Sequence, residues 1–407
     1  EDEASWYSYC YLRDLRGVSS EMSPNCTWLL ICASVLIQFA GAYELGGWHY
    51  PAQSNPDWSF TQLAPEQTSL TLGDLWFQPW GSLETDSFIN STIARAMLEK
   101  KASTPGFAFY VGISMSGVGR DNVWIALLDN VTAIDTLVGD LVPFCTQYGF
   151  NGVTIDYEPS TIMPNATQVE NLSYLLSKLG SAQNGNTSHP LVLSIDISSN
   201  LDLWETVYDL RAVSSVVDRF EVMDYYTYPF IVLPPCLQKL YSFGILPQQI
   251  VIGVGFSSPI WTNVPYGGNP LLPGYPHVHQ GWVDANYPQI GGNANTMPGQ
   301  STWDQINDLY VARTVYFAEG EEIFYLWWPV EGNVSSELVS ITFWNPLSSL
   351  QSYCDFVRNE NLLGVFSWTT ASDTPRAFAS EYLATCLTSP LVASAAAMPR
   401  PLVFWNS

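Results

Sequence analysis

Between residues 107 and 256 the chain alternates short runs rich in Val, Ile, Phe and Tyr with longer amphipathic stretches, and this rhythm is what most constrains the fold. Strand-like runs fall at 107–115, 153–158, 191–197, 219–226 and 249–256, with helical patterns over 86–101, 130–148, 166–180, 203–214 and 234–243. Strands that alternate with helices pair in parallel through right-handed crossovers. Two further buried strands read at 5–11 and 26–37, and 364–368 supplies a last one, making eight. Eight is the number that closes an α/β (β/α)8 TIM barrel, and 407 residues suit such a barrel carrying an insertion.

The rhythm breaks between the seventh and eighth strands. Residues 257–300 are dominated by Pro, Gly and Asn, and strand patterns then appear at 322–328 and 338–344. The expected organisation is barrel strands 1–7 in 1–256, an α+β insertion lobe in 257–345, strand 8 with closing helices in 346–388, and a C-terminal tail in 389–407. The tail ends in Pro401-Leu402-Val403-Phe404-Trp405, apolar enough to dock on its own domain or to drive self-assembly with a neighbour. Residues 44–85, with Trp48, Trp58, Trp76 and Trp80, read as a long loop able to roof a groove. Trp327, Trp328 and Trp344 suit either a groove wall or the core of the small lobe.

The candidate chemistry lies in 148–159. Val153, Ile155 and Tyr157 alternate with Thr154, Asp156 and Glu158, so a strand would separate an apolar trio from a polar one. Asp156 and Glu158 would stand about 6.6 Å apart along the backbone on one face, close enough to share a proton. Sixteen Trp suit a cleft on which sugar rings stack. A formal charge of −24 disfavours nucleic acid and anionic membrane surfaces. Seven Asn-x-Ser/Thr sites (Asn25, Asn90, Asn130, Asn165, Asn171, Asn186 and Asn333) and seven Cys imply a secreted glycoprotein, with Cys10 and Cys26 placed to staple the first two strands. The uncharged segment 27–43 resembles a signal peptide but is short for a membrane helix and reads better as a buried strand with its exit loop, so no membrane insertion is expected. His277 and His279 lack companions at metal-ligand spacing; neither metal nor cofactor is expected.

Asn151-Gly152-Val153-Thr154-Ile155-Asp156-Tyr157-Glu158 is similar to the fourth-strand motif Asp-Gly-x-Asp-x-Asp-x-Glu of glycoside hydrolase family 18, the chitinases and their lectin-like relatives. Cys26-Thr27, Met223-x-Tyr225, the Gly-Val-Phe-Ser-Trp run ending at Trp368 and the lobe before it extend the resemblance over nearly the full length. The resemblance implies Glu158 as general acid, with the substrate's own acetamido oxygen as nucleophile. It implies Asp156 as the group orienting the acetamido N–H, Tyr225 as hydrogen-bond donor to the acetamido carbonyl, and Trp368 as the floor of the sugar subsite, with Met223, Thr154 and Tyr226 beside them. Thr154 stands where the family has an inner Asp that shares a proton with the Asp156 position, Asn151 where it has a first Asp, and Tyr226 where many members have Asp. Two readings follow: a secreted, weakened chitinase or endo-N-acetylglucosaminidase acting on an oligosaccharide or glycan, or a non-catalytic glycan-binding or extracellular structural subunit.

Overall fold

The structure, a computed structural model, describes residues 43–50, 60, 63–85, 88–114, 120–159, 162–185, 191–199, 204–224, 229–256, 260–265, 289–290, 314–317, 324–329, 338–344, 347–370, 373 and 378–388. Eight parallel strands close a barrel: β1 (Glu44–His49), β2 (Ser69–Leu72), β5 (Ala108–Ser114), β6 (Gly152–Asp156), β7 (Val192–Ser198), β8 (Arg219–Met223), β9 (Ile250–Gly255) and β15 (Gly364–Trp368). Each pairs with its neighbour in chain order, and β15 returns to β1 through Glu44↔Gly364. The hairpin β3 (Trp76–Phe77) and β4 (Leu83–Glu84) projects from the loop after β2.

The barrel is the one expected, but two strands are not. It closes entirely within residues 44–368, so 5–11 and 26–37 are not its first two strands; both segments, with Cys10 and Cys26, lie outside the described residues. The stretch 44–85 is not a loop throughout, since it carries β1 and β2. Of the helix expected over 203–214, Leu210–Val213 is helical, while 205–209 are turn or irregular.

Helix α3 shows how local sequence positions the central strand. The helices before it are α1 (Ser91–Ser103) and α2 (Asp121–Leu128); α3 spans Val131–Tyr148. Asn130 caps α3 by accepting from the backbone N–H groups of Thr132 and Ala133. Ile134, Leu137, Leu141 and Phe144 recur on one side and are buried. Gly149, at φ 70°, ends the helix in the left-handed region, and the Phe150 N–H donates to the Cys145 carbonyl before the chain enters β6.

Every residue of β6 is buried, because a barrel strand has helices outside and side chains within. Val153, Ile155 and Tyr157 join the apolar layer beneath the helices, where Tyr157 lies 4.7 Å from the ring of Trp124 on α2. Thr154 and Asp156 face inward. Asn151 ties β5 to β6: its side-chain oxygen accepts from the Phe109 N–H at 3.1 Å.

Helices α4 (Ala166–Gly185), α5 (Leu210–Val213) and α6 (Pro229–Ser242) cover the next strands, and α7 (Leu347–Asn359) and α8 (Phe378–Thr388) flank β15. A Cys354–Cys386 disulfide joins α7 to α8, while Cys145 and Cys236 are buried free thiols. Between β9 and α7 lies an antiparallel sheet of order β11-β10-β14-β13-β12, with strands Gln289–Ile290, Ile260–Pro265, Leu338–Trp344, Phe324–Pro329 and Thr314–Phe317. Its register pairs Phe324 with Trp344 and Trp328 with Ser340. Among the described residues no helix is long and apolar enough to cross a membrane.

Candidate active site

The inner face of the barrel is polar across four adjacent strands. Ser114 of β5 is the register partner of Asp156 on β6, the pairing Ile155↔Ile195 brings Asp196 of β7 alongside Asp156, and Asp196 is the partner of Glu221 on β8. The row beneath runs Gly112, Thr154, Ser194, Arg219. Side chains in matching rows of parallel strands stand about 4.8 Å apart, so these groups must settle one another's charge.

Glu221 is met by three donors. Its Oε2 accepts from the Trp48 indole N–H at 3.0 Å and its Oε1 from the Thr154 hydroxyl at 3.3 Å, while the Arg219 guanidinium lies 3.5 Å from Oε1. Arg219, only 2% exposed, also pairs with Glu44 at 3.1 Å and stacks its guanidinium 5.2 Å from the Tyr110 ring. The acids around it hold its proton more tightly than usual against the pull of burial.

Asp156 is fully buried, and desolvation first, the Glu158 charge second, push its carboxyl well above the ordinary aspartate range. It hydrogen-bonds Ser114, and one of its oxygens has no partner. Glu158, one residue beyond the strand's apolar Tyr157, is partly exposed and shares a hydrogen bond with Asp156; burial raises its carboxyl too. A carboxyl shifted towards its acid form in this way suits a general acid.

Beside this pair, Asp74 in the loop after β2 bonds both Ser114 and Trp76, and burial lifts it to about 6. A hydroxyl carries one proton, so Ser114 can bridge Asp74 and Asp156 only when one of them is itself protonated. The partly exposed ring of Trp76 lies 3.7 Å beneath the Arg120 guanidinium, a cation–π contact at the barrel mouth.

Trp368, at the end of β15, belongs to an aromatic floor with Trp48 at 5.8 Å and Tyr50 at 5.3 Å, and Met223 packs against it. The structure thus brings Glu158, Asp156, Thr154, Met223 and Trp368 to one end of the barrel, where such folds carry their chemistry. Tyr225 and Tyr226, expected beside them, lie outside the described residues, as do His277 and His279. Sequence reasoning missed Asp74, Asp196 and Glu221, and it placed Trp48 in a groove-roofing loop where the structure has it in a barrel strand. The signal for two of the acids was present: a lone acid on the polar phase of an otherwise apolar strand, as in Leu193-Ser194-Ile195-Asp196-Ile197 and Phe220-Glu221-Val222. Among the described residues no group of three His, Cys, Asp or Glu side chains is placed to hold a metal ion.

The sequon asparagines differ in what they do. Asn90 and Asn130 are exposed helix caps, and Asn165 is exposed with its side chain accepting from the Gln168 N–H. Asn171 is half-buried and its amide nitrogen donates to the Leu128 carbonyl at 2.7 Å, so a glycan there would have to fit on a nitrogen already held against the protein. Asn25, Asn186 and Asn333 lie outside the described residues.

A family GH18 chitinase from Cycas revoluta, solved with allosamidin, superposes with a TM-score of 0.66 at 15% identity, covering 84% of this chain and 99% of that one. The chitinase-like agglutinin of Robinia pseudoacacia superposes at 0.62 with 15% identity, covering 84% and 99%. At such identities the likeness establishes the fold. A candidate sporulation-specific glycosylase of Bacillus subtilis (strain 168) is 24% identical over 217 residues, 53% of this chain, and the match spans about half of that protein, 49% of its length. The family model described as glycosyl hydrolases family 18 matches residues 58–373, well over half of the sequence and all of the barrel but its first strand. The chain therefore belongs to glycosyl hydrolase family 18.

Proposed function

We propose that the protein is a glycosidase that cleaves β-linked N-acetylglucosamine, in chitin-type chains or the core of N-glycans, by substrate-assisted retaining hydrolysis. One observation carries the reading: Glu158 sits partly exposed at the mouth of β6, bonded to the buried Asp156, with its carboxyl held towards the acid form. Glu158 protonates the glycosidic oxygen, the substrate's acetamido oxygen closes on the anomeric carbon, and Asp156 orients the acetamido N–H and balances the developing positive charge. Tyr225 donates to the acetamido carbonyl and Trp368 supplies the floor on which the sugar stacks. The Cycas chitinase, whose fold this chain shares, was also solved with (GlcNAc)3. Without a carboxylate at Thr154, turnover is slower than in members that have one.

The test is hydrolysis of chito-oligosaccharides and of a high-mannose glycopeptide by the wild type and a Glu158→Gln variant. Turnover that disappears in the variant supports the proposal; equal release from both would sink it. A second reading, glycan binding without cleavage, draws on Thr154 and on the shared fold of the Robinia agglutinin. Binding of (GlcNAc)3 with no product from either protein would select it.

We further place the protein outside the cell as a glycoprotein, on the strength of its sequons. The exposed Asn90, Asn130 and Asn165 carry the glycans in this reading and Asn171 does not. Mass spectrometry of peptides from secreted protein treated with an N-glycosidase decides it: unmodified asparagine at all three exposed positions would refute the assignment.

A further inference from the structure

We propose that Asp196 on β7 is the proton partner of Asp156, and that with Glu221 on β8 it supplies from neighbouring strands the carboxyl function absent at Thr154. The proposal rests on the glycosidase reading above for its consequences in turnover, but not for its geometry.

The space beside Thr154 is already taken by a carboxylate. Glu221 points its Oε1 to within 3.3 Å of the Thr154 hydroxyl, and Trp48 and Arg219 hold it there. Thr154 donates a hydrogen bond to that carboxylate where an Asp would repel it. Asp196 then stands in register between Asp156 and Glu221, fully buried; its carboxyl shares a hydrogen bond with that of Glu221, and no donor from a non-acidic side chain meets its oxygens. A buried acid whose neighbours are other acids satisfies itself by carrying a proton, which it can offer to one of them. The groups facing it are Asp156 and Glu158 from β6, Glu221 and Arg219 from β8, Tyr50 beyond β1, and Tyr208 behind the β7–β8 connection. Burial and these negative neighbours hold its carboxyl well above the ordinary aspartate range.

The pair thus holds one proton in two positions. At rest the proton is on Asp196, and Asp156 accepts from Ser114 and from the protonated Glu158. Asp156 stays a carboxylate while the positive charge develops; once Glu158 has given its proton to the leaving oxygen, the Asp196 proton moves to Asp156, so the new Glu158 carboxylate faces a neutral neighbour. As Glu158 regains a proton from the attacking water, the Asp156 proton returns to Asp196. The charge on the Asp156–Asp196 pair stays constant throughout, and the proton lost to the leaving oxygen is returned by the attacking water. Asp196 is a positioning residue here, acting on the reaction through Asp156.

The experiment is a pH titration of carboxyl carbons in protein labelled with 13C-aspartate, for the wild type and the near-isosteric variants Asp196→Asn and Glu221→Gln, beside kinetics on chito-oligosaccharides. In the wild type the Asp156 carbon is expected to titrate in two coupled steps. Asp196→Asn should leave a single step, and Glu221→Gln should move the upper step to lower pH. Turnover should fall about tenfold in Asp196→Asn with KM nearly unchanged and one limb of the pH profile lost, the effect of one pKa unit on the working protonation state. An Asp156 curve identical in wild type and Glu221→Gln, or still two-step in Asp196→Asn, overturns the proposal even if turnover drops. If Asp196→Asn does not fold, Glu221→Gln still decides. If the wild type shows no turnover, the glycosidase reading fails while the titration curves judge the proton pair independently.

Discussion

Replacing Thr154 with the acid found in other members of the family, Thr154→Asp, separates two views of this barrel. If the position is simply a decayed motif, restoring the carboxylate should restore activity at little cost. The structure argues the opposite, because the new carboxylate would stand about as far from the Glu221 Oε1 as the present hydroxyl does, 3.3 Å. Two unit charges at that separation repel by about 5 kcal/mol at an effective dielectric of about 20. Protonating the new acid avoids the repulsion and preserves the hydrogen bond, but holding a proton at pH 7 on a group of ordinary pKa near 3.9 costs about 4 kcal/mol. Protonation is the cheaper route, so a loss of about 4 kcal/mol is expected at pH 7. The native-state pKa of the introduced acid is raised above its unfolded value, so the penalty vanishes near pH 4 and grows by about 1.4 kcal/mol per unit as pH rises. Urea unfolding of wild type and variant at pH 4, 5.5 and 7 measures it. The double variant Thr154→Asp with Glu221→Gln removes the repulsion, leaves Arg219 its Glu44 partner, and should recover most of the loss. A Thr154→Asp protein as stable as the wild type at pH 7 and more active would refute the reasoning.

Removing the buried cation, Arg219→Met, leaves Glu44 and Glu221 without their countercharge and should cost about 3–5 kcal/mol of unfolding free energy, partly recovered when Glu221→Gln is added. Asp74 is raised from 3.8 to about 6, so its contribution favours the folded state at acid pH and is lost as pH climbs through that window, by about 3 kcal/mol in all. Asp74→Asn should abolish that decline, and the difference between variant and wild type isolates it from His49, which burial pushes to about 3 and which acts in the opposite sense. Gly112→Ala would set a methyl 2.4 Å from the Trp48 ring; overpacking of about 1–3 kcal/mol and a shifted tryptophan emission are expected, and unchanged stability would show that Trp48 is not seated as described.

What could be read from the sequence followed from local pattern. The strands Leu338–Trp344 and Gly364–Trp368 lie where alternation and composition place them, and the central acids were visible because their phase within β6 is a property of six consecutive residues. The first two barrel strands were missed for the same reason. The run 26–37 has a far stronger apolar signal than Glu-Leu-Gly-Gly-Trp-His or Ser-Leu-Thr-Leu, and composition favours the stronger signal. In β1 and β2 half of the pattern is polar because Glu44 and Ser69 look inward, and Ser69 donates to Glu44 beneath Arg219, a partner 175 residues further along the chain. Nothing local announces that partner. Asp196 and Glu221 were legible as oddities within their own strands, but their meaning depends on register between strands, which alternation alone does not give.

Trp48 explains why the acids and the sugar floor should be treated as one unit. Its indole N–H fixes Glu221, and through Glu221 the position of Thr154 and the company kept by Asp196. The same ring stacks on Tyr50 at 5.8 Å and tilts against Trp368, the proposed floor beneath the sugar. Gly112 makes room for it, since any side chain at that position on β5 would enter the ring. In the proposed complex a sugar stacked on Trp368 would therefore bear on the ring that orients Glu221. In that arrangement the carboxyl function at Thr154 can migrate to neighbouring strands without dissolving the site, because the acids are positioned by a shared aromatic strut and a shared guanidinium rather than by one strand's sequence.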